Sequence, residues 1–163
     1  MVTAHPGPPS SGASREADQA QWAELTGKSG APINVSPVHR LRISGPGPVG
    51  LSALPMDNHP ANRARGEAIL QGRWKFGSAQ IETPPGHSPW GPEFPSLHFA
   101  DRIHRFHWLR DLAACGAEGE ARASALVAAW AEAHGKWEDF AWRLSVTADR
   151  LINFICAGPW LFA

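Results

Sequence analysis

The amino-acid sequence is most distinctive for what it lacks. Its 163 residues contain no tyrosine and only two cysteines, against eight tryptophans. Lysine plus arginine and aspartate plus glutamate number 15 each. Because a surface that binds nucleic acid needs a basic excess, the composition indicates no nucleic-acid partner. No apolar run approaches the roughly 20 residues that cross a bilayer, so no membrane segment is predicted.

Several motifs that would indicate a particular chemistry are also missing. The sequence has no glycine-rich phosphate loop, no Gly-x-Ser-x-Gly and no Cys-x-x-Cys. These absences argue against a nucleotide enzyme, a serine hydrolase and a zinc ribbon, and no cofactor is indicated. Cys115 and Cys156 stand apart among apolar residues, which predicts buried free thiols. The first residues lack the charged start and the apolar run of a signal peptide.

Proline and glycine divide the chain into three predicted segments. Residues 1–38, rich in Pro, Gly, Ser and Ala, are predicted to be a disordered N-terminal tail. Residues 39–96 form a loop-rich segment with a short helix, capped by Asn58 and ended by Gly72. A β-hairpin that turns at Gly77 and Ser78 follows this helix. Residues 97–163 are predicted to be mainly α-helical.

Helical periodicity after Ser96 predicts three helices, at about residues 97–115, 119–134 and 145–157. The third begins at Ser145 and ends at Gly158-Pro159. It is apolar on more than one side, so it should have neighbours on several sides. Together with the uncharged ending "LINFICAGPWLFA", this predicts that the chain is the front part of a longer protein whose remainder covers these residues.

The stretch "DRIHRFHWLRDL", residues 101–112, holds the candidate site. On one continuous helix, turning about 100° per residue, His104, His107 and Asp111 share a face and Trp108 lies just beyond it. Such a set could hold zinc or iron, or could form a His–carboxylate pair for proton transfer. The usual helical metal motif separates its histidines by four residues rather than three, so no metal site is predicted.

Two interpretations of this face remain. We prefer a His–Asp hydrogen bond that ties the helix to its neighbours, and the alternative is that these residues line a ligand groove. Asn153 lies among apolar residues in the third helix, where an asparagine usually bonds a neighbouring loop.

Four segments follow one another in a recognisable order: "NRARGEAILQGRWKF", "SPWGP", "RIHRFHWLRDL" and "ADRLINFICAGPWLF". Over about residues 39 to 163 they resemble the N-terminal part of bacterial heparinase II/III family proteins, which are polysaccharide lyases. Ile103 stands where the family pattern has Leu, and Phe154 where it has Trp. The resemblance implies that the helices from residue 97 open an α/α toroid, which in full-length members continues into a β-sandwich.

The same resemblance implies a function, namely cleavage of uronate-containing glycans by β-elimination, with an acidic polysaccharide as substrate and a place in the cell envelope. Family members use Asn, Tyr and His for catalysis. This chain has no tyrosine, and the family's Asn-His motif lies beyond the helix that holds Asn153, so no catalytic residue carries over. We therefore interpret the chain as the N-terminal part of a lyase, inactive alone. Its candidate substrate-binding residues are His104, His107, Trp108 and Asp111.

Two other functions stay open at this point. The chain could be a non-catalytic helical module that binds carbohydrate or protein through its tryptophans and the pair His104 and His107. It could also be a metal-dependent helical enzyme built on His104, His107 and Asp111. The sequence fixes neither the polysaccharide nor the oligomeric state.

Overall fold

The computed structural model describes residues 53, 55–91 and 93–162. The predicted disordered tail and the first part of the loop-rich segment lie outside this range. About half of the described residues are helical and one two-stranded antiparallel hairpin is present, which confirms a mainly α fold. The elements are α1 (Arg63–Leu70), β1 (Arg73–Phe76), β2 (Ala79–Glu82), α2 (Leu97–His104), α3 (Leu109–Ala113), α4 (Ala117–His134) and α5 (Leu144–Leu161).

Helix α1 begins later than the sequence predicts. Its N-cap is Asn62 rather than Asn58, and the Asn62 side chain accepts a hydrogen bond from the Arg65 backbone N–H at 3.0 Å. Just after the helix, the backbone N–H of Gly72 bonds the Ile69 carbonyl at 2.9 Å, with a φ of 80° at the glycine. The predicted end of the helix is therefore confirmed.

The β-hairpin is confirmed as well. Strands β1 and β2 pair in a register that sets Trp74 opposite Ile81 and Phe76 opposite Ala79. The turn passes through Gly77, whose φ of 63° suits a glycine. Residues alternate between exposed and buried along β1, so Trp74 and Phe76 point into the core.

The helix predicted at residues 97–115 is broken into α2 and α3. Phe106, between them, has a φ of 62°, a left-handed conformation that costs a non-glycine residue about 1–2 kcal/mol. The turn buries both Phe106 and Trp108, and the Trp108 indole donates to the Ile103 carbonyl at 2.9 Å. Because truncating a buried aromatic side chain to alanine costs about 3–5 kcal/mol, the packing of these rings outweighs the strain.

Helix α5 also differs from its prediction. It starts at Leu144 without a side-chain cap, so Ser145 is not its N-cap, and it continues through Pro159 to Leu161. Pro159 has no N–H to donate to the carbonyl four residues before it, so the last turn lacks one helical hydrogen bond. Helix α4 ends at His134, as predicted.

The core is built largely from aromatic rings. Phe106 lies at its centre, with ring centroids 5.0 Å from Trp108, 5.5 Å from Trp130 and 4.9 Å from Phe154. The indole of Trp90 reaches the Leu126 carbonyl at 2.9 Å. The tryptophans thus supply both ring packing and buried hydrogen-bond donors, in a chain that has no tyrosine.

One face of α5 remains apolar and exposed among the described residues. Leu144, Leu151, Ile152 and Phe162 each expose more than half of their surface. No helix in the described ranges is long and apolar enough to cross a membrane.

Candidate functional site

Two neighbouring cavities open where α1, α2, α3 and α5 meet. The first, of about 180 Å³, lies between α3 and α5 and is lined by Asn153 and Trp160 among others. The second, of about 140 Å³, is lined in part by five basic side chains, which we call the arginine cleft: His59, Arg65, Arg102, His107 and Arg110. His59 and Arg110 line both cavities, so the two cavities adjoin.

Asp111 fixes the position of α1 against α3. Its carboxylate is fully buried and accepts hydrogen bonds from Arg65 Nε at 2.5 Å and Nη2 at 3.2 Å, and from the Asn62 backbone N–H at 2.7 Å. Gly66 makes this approach feasible, because a Cβ there would collide with the Asp111 carbonyl. Asp111 therefore bonds Arg65, and the predicted His–Asp hydrogen bond within the helix does not form.

His104 faces away from the arginine cleft, into the core. Its Nδ1 accepts a hydrogen bond from the Trp130 indole at 2.9 Å, and its ring centroid lies 4.8 Å from that of His134. Burial, followed by the nearby His134 and Arg150, lowers the pKa of His104 to about 3. The imidazole is therefore neutral near pH 7.

His107, by contrast, lines the cleft and is partly exposed. Its Nε2 lies 3.5 Å from Asp149 Oδ2. Burial, and then the charge of Arg102, lowers the pKa of His107 despite the attraction of Asp149. Of the four residues singled out in the sequence, His107, Trp108 and Asp111 thus line one cavity and His104 does not. The break at Phe106 separates them.

Arg110 and Asn153 both line the first cavity and are bonded to each other. Arg110 donates from Nη2 to Asn153 Oδ1 at 2.5 Å, and its Nε lies 3.2 Å from Asp57 Oδ2. This Nε is buried and makes no hydrogen bond of good geometry. Asn153 donates to the carbonyl of Arg105 at 3.0 Å, in the break between α2 and α3, as expected of a mid-helix asparagine.

A salt-bridge group next to the cleft joins α2 to α5. Arg105 donates to both carboxylate oxygens of Asp101, at 2.7 and 2.8 Å, and to Asp149 at 2.5 Å. Burial alone would raise the pKa of Asp149, but the hydrogen bond and charge of Arg105 outweigh it and lower that pKa. Asp149 therefore stays ionised near pH 7.

Two of the three arginines that line the cleft have a carboxylate partner and the third does not. Arg65 is paired with Asp111, and Arg110 with Asp57. Arg102 is exposed, and within the described ranges it makes no hydrogen bond or ion pair. One guanidinium is thus left over, beside an apolar wall of Phe76 and Trp108. Sequence reasoning missed all three arginines, since they come from three different helices and no local spacing connects them.

The described residues do not assemble a metal centre. Among them, no group of three or more His, Cys, Asp or Glu side chains is placed to hold a metal ion. The hypothesis of a metal-dependent enzyme on His104, His107 and Asp111 is therefore unsupported.

Fold and site together define a small, mainly α domain with an aromatic core and a cationic cleft. The chain is 38% identical over 125 residues to FtsZ-localized protein C of Caulobacter vibrioides (strain NA1000 / CB15N). The match covers 77% of this chain and 22% of that protein, so the chain spans about a fifth of its relative. No family model matches the sequence. No solved structure matches it either.

This relative overturns the functional predictions. The similarity is to a protein named for its localisation with FtsZ, so the prediction of a heparinase II/III-like polysaccharide lyase is wrong, as is that of an acidic polysaccharide substrate. The two alternatives, a module that binds carbohydrate or protein through its tryptophans and the pair His104 and His107, and a metal-dependent enzyme, gain no support. The lyase prediction failed because the motifs that carried the resemblance consist largely of core positions. Their apolar residues, such as Trp74, Trp108 and Leu112, are buried. The pattern therefore reflected packing of the core rather than sugar chemistry.

Proposed function

We propose that this chain is a domain of a cell-division-associated protein that localises with FtsZ at the division site through contact with a protein. The observation that carries the proposal is the 38% identity to FtsZ-localized protein C over 125 residues. An identity of this size over 77% of the chain makes a shared fold and a related role the simplest explanation.

The geometry supports contact with a protein rather than with a small molecule. Sites for small molecules usually enclose about 300–1,000 Å³. The two cavities measure about 180 and 140 Å³, which suits individual side chains of a partner better than a whole ligand. The exposed apolar face of α5, with Leu151 and Ile152, adds surface of the kind that protein interfaces bury.

A fluorescent fusion of the 163-residue chain tests this function in dividing Caulobacter vibrioides cells that also carry labelled FtsZ. We expect the fusion to overlap with FtsZ at the division site. The fluorescent protein alone, as control, should stay dispersed. A fusion that is stable and full-length yet dispersed in every cell would contradict the proposal.

The finer architecture is also a proposal. The resemblance to heparinase II/III proteins implied that the helices from residue 97 begin an α/α toroid, and the change in composition after Ser96 predicts a segment boundary near residue 96. In support of the toroid, α3 packs against α4 and α5, as successive helices of such a ring would. A crystal structure of the relative with its helices paired around a closed ring would support the toroid, and a compact bundle would exclude it.

A further inference from the structure

We propose that the arginine cleft binds the carboxylate of an acidic side chain of a protein partner. The proposal rests on the proposed function in so far as the ligand is a protein. The cleft itself, its charge and its size are independent of that function.

Charge is the first argument. Arg65 and Arg110 each have an aspartate partner, whereas Arg102 has none within the described residues and remains exposed at the mouth of the cavity. A guanidinium can donate two parallel hydrogen bonds to a carboxylate, which makes it a specific carboxylate receptor. Among the described residues, Arg102 is therefore the cleft arginine that no carboxylate pairs with, while the neighbouring Asp101 and Asp149 exceed Arg105 by one negative charge.

The fixed position of the neighbouring arginines is the second argument. Arg65 is held by both oxygens of the buried Asp111, and Arg110 by Asn153 on α5. These contacts keep two guanidinium groups at the cavity wall before any ligand arrives. Because the site is already organised, binding would lose little side-chain entropy apart from that of Arg102.

Size and wall chemistry are the third argument. A cavity of about 140 Å³ is below the roughly 300–1,000 Å³ of sites for whole small molecules and is on the scale of a single side chain. Phe76 and Trp108 supply an apolar wall for the methylene stem of a glutamate. The adjoining cavity, with Leu109, Ala157 and Trp160 in its lining, could receive an apolar neighbour of that residue. The structure therefore favours a Glu next to a large apolar residue.

Titration of a short peptide into the ¹⁵N-labelled 163-residue chain tests the site directly. The probe is N-acetyl-Gly-Glu-Leu-Gly-amide, followed by the indole N–H signal of Trp108. We expect weak, saturable binding that falls at least about tenfold with the matched peptide containing Gln for Glu. Equal binding of the two peptides, or tighter binding of inorganic phosphate than of the Glu peptide, overturns the proposal.

Two arginine variants locate the binding. Arg102→Gln should weaken binding of the Glu peptide about tenfold or more. Arg73→Gln, on the exposed side of β1 and outside the cleft, should leave it unchanged. Both sites are on the surface, and circular dichroism should show both variants folded. If Arg102→Gln binds as the wild type does, the cleft is not the receptor.

The same variants in cells separate this inference from the proposed function. If the wild-type fusion localises with FtsZ, Arg102→Gln should disperse it and Arg73→Gln should not. Localisation that is equal for all three contradicts a role of the cleft while leaving the proposed function intact. If the wild type itself fails to localise, the proposed function fails, and the peptide titration alone decides whether the cleft binds carboxylates.

Discussion

At the scale of single residues, the pair of Arg65 and Asp111 is unequally buried. The Asp111 side chain is fully buried, whereas 43% of the Arg65 side chain is exposed. Removing either partner breaks the same ion pair. Only the removal of Arg65 leaves a charged group buried without its partner. The burial of the residue that remains should therefore decide the cost.

We expect Arg65→Met to be more destabilising than Asp111→Asn. The first change leaves a buried carboxylate with only the Asn62 N–H as donor, at a cost of about 3–5 kcal/mol. The second leaves an arginine that can turn into solvent, at about 1–2 kcal/mol. Urea unfolding of the two variants measures the difference. If the two variants lose equal free energies of unfolding, or Asp111→Asn loses more, then the buried carboxylate does not determine the cost.

The buried His104 should make stability depend on pH. Its pKa is near 6.5 in an unfolded chain and about 3 in the fold, so the unfolded state binds more protons between these values. Stability should therefore be lost as the pH falls from 6.5 towards 3, by at most about 1.4 kcal/mol per pH unit from this residue.

His104→Gln should reduce this dependence. Unfolding free energies at pH 7, 5.5 and 4.5 should fall less steeply for the variant than for the wild type. The variant should itself be less stable at pH 7, because the Gln amide takes the place of Nε2 of the ring and leaves the Trp130 indole without the acceptor that Nδ1 supplies. His98→Gln, at an exposed position on α2, serves as the control and should keep the wild-type slope. If the unfolding free energy depends equally on pH in the wild type and in His104→Gln, then His104 is not the source of the pH dependence.

At the scale of elements, the break between α2 and α3 shows that hydrophobic periodicity does not predict where a helix is interrupted. The apolar stripe that predicts one helix, from Phe99 through Ile103 and Phe106 to Leu109, is buried on both sides of the break. Periodicity therefore could not reveal where the helix stops. Left-handed positions are usually marked by Gly, Asn or Asp, and a phenylalanine gives no such signal.

Substitutions of Phe106 test whether backbone strain or aromatic packing contributes more to stability at the break. Phe106→Gly relieves about 1–2 kcal/mol of backbone strain but removes a ring worth about 3–5 kcal/mol. We expect a net destabilisation of about 2–3 kcal/mol, with Phe106→Leu retaining more of the packing. Thermal or urea unfolding of both variants checks this. A stabilised glycine variant would mean that strain, rather than the aromatic core, controls the turn.

The elements with local signals were predicted well for the same physical reasons. The hairpin turn at Gly77 and the start of α2 after Ser96 depend on residues with a specific backbone or capping role. Helix α5 runs beyond its predicted end, through Pro159 to Leu161, whose side chain is buried. Its start lacks a side-chain cap, so no sequence signal marks it.

At the scale of the whole molecule, the candidate site depends on long-range contacts that the sequence does not display. Arg65 and Asp111 are 46 positions apart, and Arg110 and Asn153 are 43 apart. The helical spacing predicted that His104 and His107 share a face. In the fold, His104 lies in the core and His107 lines the cleft. A surface that joins several helices can be identified only once the helices are placed.

The central claim is that this chain localises with FtsZ, and the most direct measurement is its position in cells depleted of FtsZ. The fusion should overlap with FtsZ before depletion and disperse as FtsZ disappears, while its total amount stays constant by immunoblot. A focused signal that persists at the division site without FtsZ, or that never overlaps with FtsZ, would contradict the claim.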